Sequence, residues 1–288
     1  MVILANKDTA VIVQGGTGKQ GSFHTKLMKE YGTKIVGIVK PGTKGTMNGI
    51  PVYPSVASAV NNTHVDASVI FVPPASAKDA LAEAVFAGVK LAVVITENVP
   101  VHDSIIMRKI AKANNAVLIG PNTIGLISAG QSKLGVMPSE LYKPGKVGIV
   151  SRSGTLTHEV ASILSESGLG VTTAVDMGGD MVIGTGFAEL VKLFDLDDET
   201  RAIVVIGEVG GTKEQELAEY LIQRKVKKPV IAYIAGIHAP PGKRMGHAGA
   251  IISGGSTTAE AKLKILASSG ALVAKYPDEI PNLIDKSL

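Results

Sequence analysis

The chain has 288 residues, 45% of them hydrophobic and 19% charged, with a net charge of +4, and a chain of this length forms one large domain or two ordinary ones. This apolar content excludes disorder, and the absence of cysteine excludes disulfides and thiolate metal sites. Scattered cations and only 4% aromatic residues lack the basic stripe with stacking rings of a nucleic-acid reader, so no nucleic-acid partner is expected.

No apolar run approaches the ~18 residues of a membrane span. Residues 1–9 lack the charged-then-apolar layout of a signal peptide. The expectation is a non-secreted protein without a membrane partner, in the cytoplasm or an organellar matrix.

Short β-branched runs recur at residues 10–13, 34–39, 68–72, 91–96 and 116–119, with helical stretches such as 78–87 and 104–113 between them. Strand–helix alternation at this pitch predicts βαβ units and a parallel sheet. A second series follows at 146–151, 171–175, 202–207, 230–234 and 272–274, with helices expected at 155–167, 187–195, 213–223 and 257–267. The reading is α/β with two doubly wound parallel-sheet domains, a Rossmann-like one over residues 1–125 and a flavodoxin-like one over 126–288. The boundary falls in the Gly/Pro/Ser-rich stretch between Pro121 and Gly145.

After the first strand comes Gln14-Gly15-Gly16-Thr17-Gly18-Lys19-Gln20-Gly21, then a helix. Gly16, Gly18 and Gly21 match the dinucleotide fingerprint, in which backbone N–H groups approach a phosphate at a helix start. A Gly-rich turn that binds nothing is the plain alternative. The acidic residue that a dinucleotide site places after the second strand is missing, and Lys40 and Lys44 stand there instead. A cation suits a ribose phosphate, as in NADP or CoA, and argues against NAD; two solvated loop lysines would look the same.

The second series opens with Ser151-Arg152-Ser153-Gly154-Thr155. Ser153 and Gly154 could bind an anion at a positive dipole end, or simply cap the helix. Glu208 ends a buried strand in Gly207-Glu208-Val209-Gly210-Gly211, where parallel sheets place their sites; an exposed loop acid is the alternative. His247 lies in Gly242-Lys243-Arg244-Met245-Gly246-His247-Ala248-Gly249-Ala250, a loop without local apolar packing. His24, His64, His102 and His238 read as surface residues. Gly242-Lys243 is no Walker A, since Arg244 replaces the Ser/Thr, and His158-Glu159 lacks the second histidine of a zinc-protease motif, so no metal site is expected.

These motifs together resemble the α subunits of the succinyl-CoA synthetase family, over essentially the whole chain, and the His247 run carries the resemblance furthest. The resemblance implies CoA bound by the N-terminal domain through Thr17, Gly18, Lys19, Gln20, Lys44, Ile95, Thr96 and Glu97. It implies catalysis by His247, which is phosphorylated, with Glu208 orienting it and Ser153 and Gly154 holding the phosphoryl oxygens. A β subunit with an ATP-grasp domain would bring Mg²⁺ and ATP or GTP. The implied reaction makes succinyl-CoA from succinate, as in the tricarboxylic acid cycle. The chain departs from the family pattern at Thr123-Ile124, where the family has Cys-Pro, and at His158, where it has Tyr. It departs again at Met181, where the family has Pro, and at Lys44, one place late. His158 is thus a candidate substrate contact. A related two-subunit ligase for malate or citrate, or a non-catalytic CoA-binding protein, are the competing readings.

Overall fold

The computed structural model describes residues 2–288. The chain divides into two compact units, Leu4–Met137 with Val182–Gly184, and Pro138–Met181 with Thr185–Leu288.

In the first unit the elements run β1 (Val11–Gln14), α1 (Lys19–Tyr31), β2 (Ile35–Val39), β3 (Gly45–Met47), β4 (Ile50–Tyr53) and α2 (Val56–Asn62). They continue β5 (Ala67–Ile70), α3 (Pro74–Phe86), β6 (Leu91–Val94), α4 (Val101–Ala113) and β7 (Val117–Ile119); next along the chain comes the pair β8 (Gly125–Ser128) and β9 (Ser132–Gly135), which joins the second sheet. The strand order is β3-β4-β2-β1-β5-β6-β7. Without the antiparallel β3, this is the 3-2-1-4-5-6 order of the Rossmann fold. Strands β1, β5 and β6 are buried throughout, because helices cover both faces of a parallel sheet. On one face Leu81, Val94, Met107 and Leu118 form a core, and on another Ile12, Val56 and Ala59 pack with Ala84. Each fully buried large aliphatic side chain contributes about 1.5–3 kcal/mol.

The second unit contains β10 (Pro144–Ser151), α5 (Gly154–Glu166), β11 (Val171–Asp176), α6 (Phe187–Leu196), β12 (Ala202–Glu208) and α7 (Lys213–Gln223). After these come β13 (Val230–Ala235), α8 (Ala259–Ser268), β14 (Leu272–Ala274) and α9 (Ile280–Asp285). The second sheet is ordered β14-β13-β12-β10-β11-β8-β9. Its parallel strands β10 to β14 have the flavodoxin order 2-1-3-4-5, so the direction of winding reverses between β10 and β12. Ligands of such sheets bind at the carboxyl ends of the strands on either side of that reversal.

Two sets of five strands were expected, but each sheet has seven. The additional strands are the hairpins β3–β4 and β8–β9, of three or four residues each. Strands so short carry too little of a period-two pattern to distinguish them from turns. The helix expected from residue 257 begins at Ala259 instead, because the Thr258 Oγ1 accepts the Ala261 N–H and so caps it. Among the described residues no helix is long and apolar enough to cross a membrane.

Candidate functional site

Strand β12 is buried along its whole length and ends on Glu208, itself only 7% exposed. A carboxylate that far out of water needs partners. One is His247, whose Nδ1 lies 2.7 Å from the Glu208 Oε2. The other is Arg152, 3% exposed, whose Nε stands 3.5 Å from the Glu208 Oε1, an ion pair without a hydrogen bond. The Arg152 Nη2 donates to the Asp180 carbonyl at 2.8 Å. Strands β10 and β12 pair directly, with Ser151 opposite Ile206, so Arg152 and Glu208 emerge side by side at the winding reversal.

The hydrogen bond to Glu208 raises the His247 pKa above the ordinary 6.5. Burial opposes this, the Glu208 charge adds to it, Arg152 counters it, and Asp176 adds a further upward pull. Facing a carboxylate, Nδ1 carries the proton and Nε2 keeps its lone pair in the neutral form. The imidazole is half-buried in a loop where Gly242 and Gly246 have φ of +74° and +84°. Its ring lies against bare backbone, for a methyl on Gly179 would sit 2.5 Å from the His247 Cδ2. A methyl on Gly210, at φ +82°, would sit 2.2 Å from the Gly249 carbonyl oxygen, so the histidine loop crosses the strand end there.

Ser153 is the N-cap of α5, its Oγ accepting the Leu156 N–H at 3.3 Å. Its own N–H is held by the Ser151 Oγ at 2.9 Å. The first-turn amides of Gly154 and Thr155 have no intrahelical acceptor and carry the positive end of the dipole. The Ser153 hydroxyl is thus occupied by the cap.

His158, on α5, is half-buried, with Nδ1 2.6 Å from the Tyr142 hydroxyl. Burial lowers the His158 pKa, against an upward pull from Glu140. Burial, with Asp176, pushes the Tyr142 hydroxyl far up. The hydroxyl and the imidazole thus share one hydrogen bond between groups that burial keeps from charging. His64, His102 and His238 are exposed. His24 is not the surface residue expected: it is half-buried and stacked on Phe71 at 5.9 Å.

In the first unit, the Gly-rich loop opens on a cavity of about 480 Å³ lined by Gln14, Gly15, Thr17, Val39, Lys40 and Val72, among others. Gly18 is the N-cap of α1, and Lys19 and Gln20 are its first residues. The loop closes on itself, since a methyl on Gly21 would lie 2.2 Å from the Gly15 carbonyl oxygen. Thr17 and Lys40 come together at this cavity; Lys44 is exposed and outside its lining. Ile95, Thr96 and Glu97 follow the end of β6, and the Thr96 hydroxyl donates to the carbonyl of the lining residue Val72 at 2.7 Å. The dimensions and the amide-rich rim fit a phosphate-bearing ligand such as CoA. A larger hollow of about 570 Å³, on another side of α1, includes none of these candidates. Among the described residues no group of three or more His, Asp or Glu could hold a metal ion.

Sequence reasoning did not single out Arg152, Gly179 or Asp176 as parts of the histidine site. Arg152 was visible only as one letter of the Ser-Arg-Ser-Gly motif, and nothing in the sequence pairs it with Glu208.

Residues 150–272 match the family model described as CoA-ligase, and residues 6–98 match the one described as CoA binding domain. The chain is 53% identical, over all of both chains, to a succinate–CoA ligase [ADP-forming] subunit alpha 2 from Archaeoglobus fulgidus. It is also 53% identical to a succinate–CoA ligase [ADP-forming] subunit alpha from Aquifex aeolicus, covering 100% of this chain and 95% of that one. Among solved structures it is similar to ATP citrate lyase from Methanothrix soehngenii in complex with citrate and coenzyme A. There the TM-score is 0.90 at 26% identity, over 99% of this chain and 50% of that chain.

Proposed function

This chain belongs to the succinate–CoA ligase alpha-subunit family, and from that premise we propose that His247 carries the phosphoryl group between a nucleoside triphosphate and succinate. The observation that carries this reading is the 2.7 Å hydrogen bond from His247 Nδ1 to the buried Glu208, which leaves Nε2 as the nucleophile. The Nε2 lone pair attacks the terminal phosphorus, the bond to the bridging oxygen breaks, and the nucleoside diphosphate leaves. The ring becomes a phosphoimidazolium whose charge Glu208 balances. A succinate carboxylate oxygen then takes the phosphoryl group and restores neutral His247. The CoA sulfur attacks the resulting succinyl phosphate and phosphate leaves. The Gly154 and Thr155 amides hold phosphoryl oxygens, a dipole contact of roughly 0.3–1 kcal/mol, rising to about 2 in partly buried geometry.

CoA lies along the loop of Thr17, Gly18, Lys19 and Gln20, with Lys40 at the ribose phosphate; Lys44 reaches it only if its turn moves. Ile95, Thr96 and Glu97 contribute through the Thr96–Val72 link. The β subunit, through an ATP-grasp domain, supplies Mg²⁺ and the nucleotide. The relatives' ADP-forming names favour ATP over GTP. The likeness to a citrate-binding lyase keeps citrate or malate as the second reading, while the 53% identity to succinate ligases supports succinate.

Mixing the assembled αβ enzyme with γ-labelled ATP and Mg²⁺ tests the reading. The label is expected on this chain, stable in alkali and lost in mild acid, as a phosphoramidate requires. His247→Asn abolishes the label and leaves CoA binding intact by calorimetry. Full labelling of that variant would refute the assignment.

A further inference from the structure

A second buried pair lies behind Glu208, and the phosphoryl chemistry does not touch it. The side chains of Lys262, on α8, and Glu214, on α7, are both 0% exposed and pair with each other. An ammonium has three protons to place, and here each has an acceptor. The Lys262 Nζ donates to the Glu214 Oε2, to the Glu208 carbonyl at 2.8 Å, and to the Gly210 carbonyl. The other Glu214 oxygen accepts the Glu208 N–H at 3.2 Å. The pair therefore grips Glu208 through its N–H and its carbonyl, and also holds the turn that follows. Gly207 makes room for this, because a methyl there would lie 2.5 Å from the Glu214 Oε1.

A buried ion pair is a poor way to hold helices together. Desolvation cancels most of its attraction, and well-packed apolar replacements are often as stable or more so. Stability alone does not account for these charges, but their geometry does. A strand end has no further ladder bonds to fix its last residue, and the direction of a side chain follows its backbone. We infer that the Lys262–Glu214 pair is a positioning device that fixes how the Glu208 carboxylate leaves β12, and thereby the hydrogen bond that orients His247. The device also joins the strand end to α8, the helix that follows the histidine loop, and the Gly210 N–H bonds to the Thr257 carbonyl at the foot of that helix. Glu208, Arg152 and Asp176 are the charged groups acting on the imidazole, and Glu208 is the one whose hydrogen bond leads the upward pull on its pKa. The inference rests on His247 being the phosphorylated residue.

The test uses the assembled αβ enzyme carrying Lys262→Met together with Glu214→Gln, which removes both charges at nearly constant volume. Three quantities are read: the melting temperature, the His247 titration by NMR, and the rate of phosphohistidine formation. The expected result is a melting temperature within about 5 °C of wild type, a His247 pKa that falls toward the ordinary 6.5, and phosphorylation slowed at least about tenfold. A merely structural pair would move the melting temperature and leave the folded enzyme's titration and rate unchanged, and that outcome would overturn the inference. Should the double variant not assemble, Glu214→Gln alone, which keeps the side-chain shape, is measured by the same titration and the same rate. A lowered pKa with slowed phosphorylation supports the device there too, and unchanged values overturn it. The titration needs no phosphorylation. A wild-type His247 that never takes label, but whose pKa falls in the variant, would keep the positioning device and sink the phosphohistidine reading.

Discussion

Glu208→Gln separates what the carboxylate does by shape from what it does by charge. The amide oxygen can still accept the Nδ1–H, so the ring keeps its orientation. What disappears is the negative charge beside an imidazole that, on the proposed mechanism, becomes cationic as it takes the phosphoryl group. An exposed ion pair is worth about 0–1 kcal/mol, too little to matter. Here, however, the Glu208 side chain is 9% exposed and that of His247 32%, so the charge-assisted scale of about 1.5–3 kcal/mol applies. That corresponds to phosphorylation slowed roughly 10- to 100-fold. The pH profile sharpens the test. Wild-type His247 has a pKa raised above 6.5, chiefly by Glu208, so its phosphorylation rate climbs with pH through a break above that value. In the variant, burial and Arg152 pull the pKa down with only Asp176 opposing, and the break moves to lower pH. The rate deficit is then largest on the alkaline plateau and shrinks in acid. Stability follows the same sign. A raised folded pKa contributes stability that is full below 6.5 and lost as pH rises through the folded pKa. The variant lacks that increment, so beyond any pH-independent cost of leaving Arg152 without its carboxylate, its deficit grows on the acid side. Rapid-quench labelling of the assembled enzyme from pH 5.5 to 9, about half a unit at a time, measures both break and plateau. A variant with the wild-type plateau, or with an unmoved break, would refute the reasoning.

Gly179→Ala places a methyl 2.5 Å from the His247 Cδ2 and should displace the ring. Phosphorylation falls about 100-fold with CoA affinity unchanged by calorimetry, and a wild-type rate would mean that the ring does not rest there during reaction. Gly18 and Gly21 separate ligand contact from loop closure. A methyl on Gly21 meets the Gly15 carbonyl oxygen at 2.2 Å, whereas one on Gly18 finds only that oxygen at 3.5 Å, an ordinary contact. Gly21→Ala should therefore lower both melting temperature and CoA affinity. Gly18→Ala should keep the melting temperature and weaken CoA about tenfold; unchanged affinity would remove Gly18 from the binding loop.

The two doubly wound sheets were legible because buried parallel strands such as residues 202–206 are unbroken apolar runs, and period and spacing survive in the sequence. The hairpins β3–β4 and β8–β9 were not legible, because their pairing is a tertiary event between segments too short to show alternation. The histidine site followed the same division. His247 and Glu208 were visible as chemistry in unusual settings, a histidine among glycines and an acid closing an apolar strand. Arg152, Lys262 and Glu214 were not, since a lysine on a helix reads as solvated until the fold shows it buried. His158 looked like a new ionisable group, and only its burial in the fold, which lowers its pKa, shows an imidazole disposed to stay neutral beside the Tyr142 hydroxyl at 2.6 Å.

Three glycines of the second unit, Gly179, Gly207 and Gly210, have a common cause in these contacts. On the proposed mechanism substrate approaches the imidazole on Nε2, so the ring can be held only from Nδ1 and from its faces. Side chains on the flanking loops would fill the space that the phosphoryl group must enter. Backbone can approach more closely and leave that space open, provided it carries no Cβ. Gly179 meets the ring, Gly210 lets the Gly249 carbonyl pass, and Gly207 admits Glu214 behind the strand. Each of these approaches would be closed by a single methyl. The Gly-Gly pairs after β11 and β12 are therefore determined by the histidine loop as much as by the turns they make. A variant that adds a methyl at Gly207 should disturb Glu208 from behind, through Glu214, without adding an atom to the face that receives the phosphoryl group.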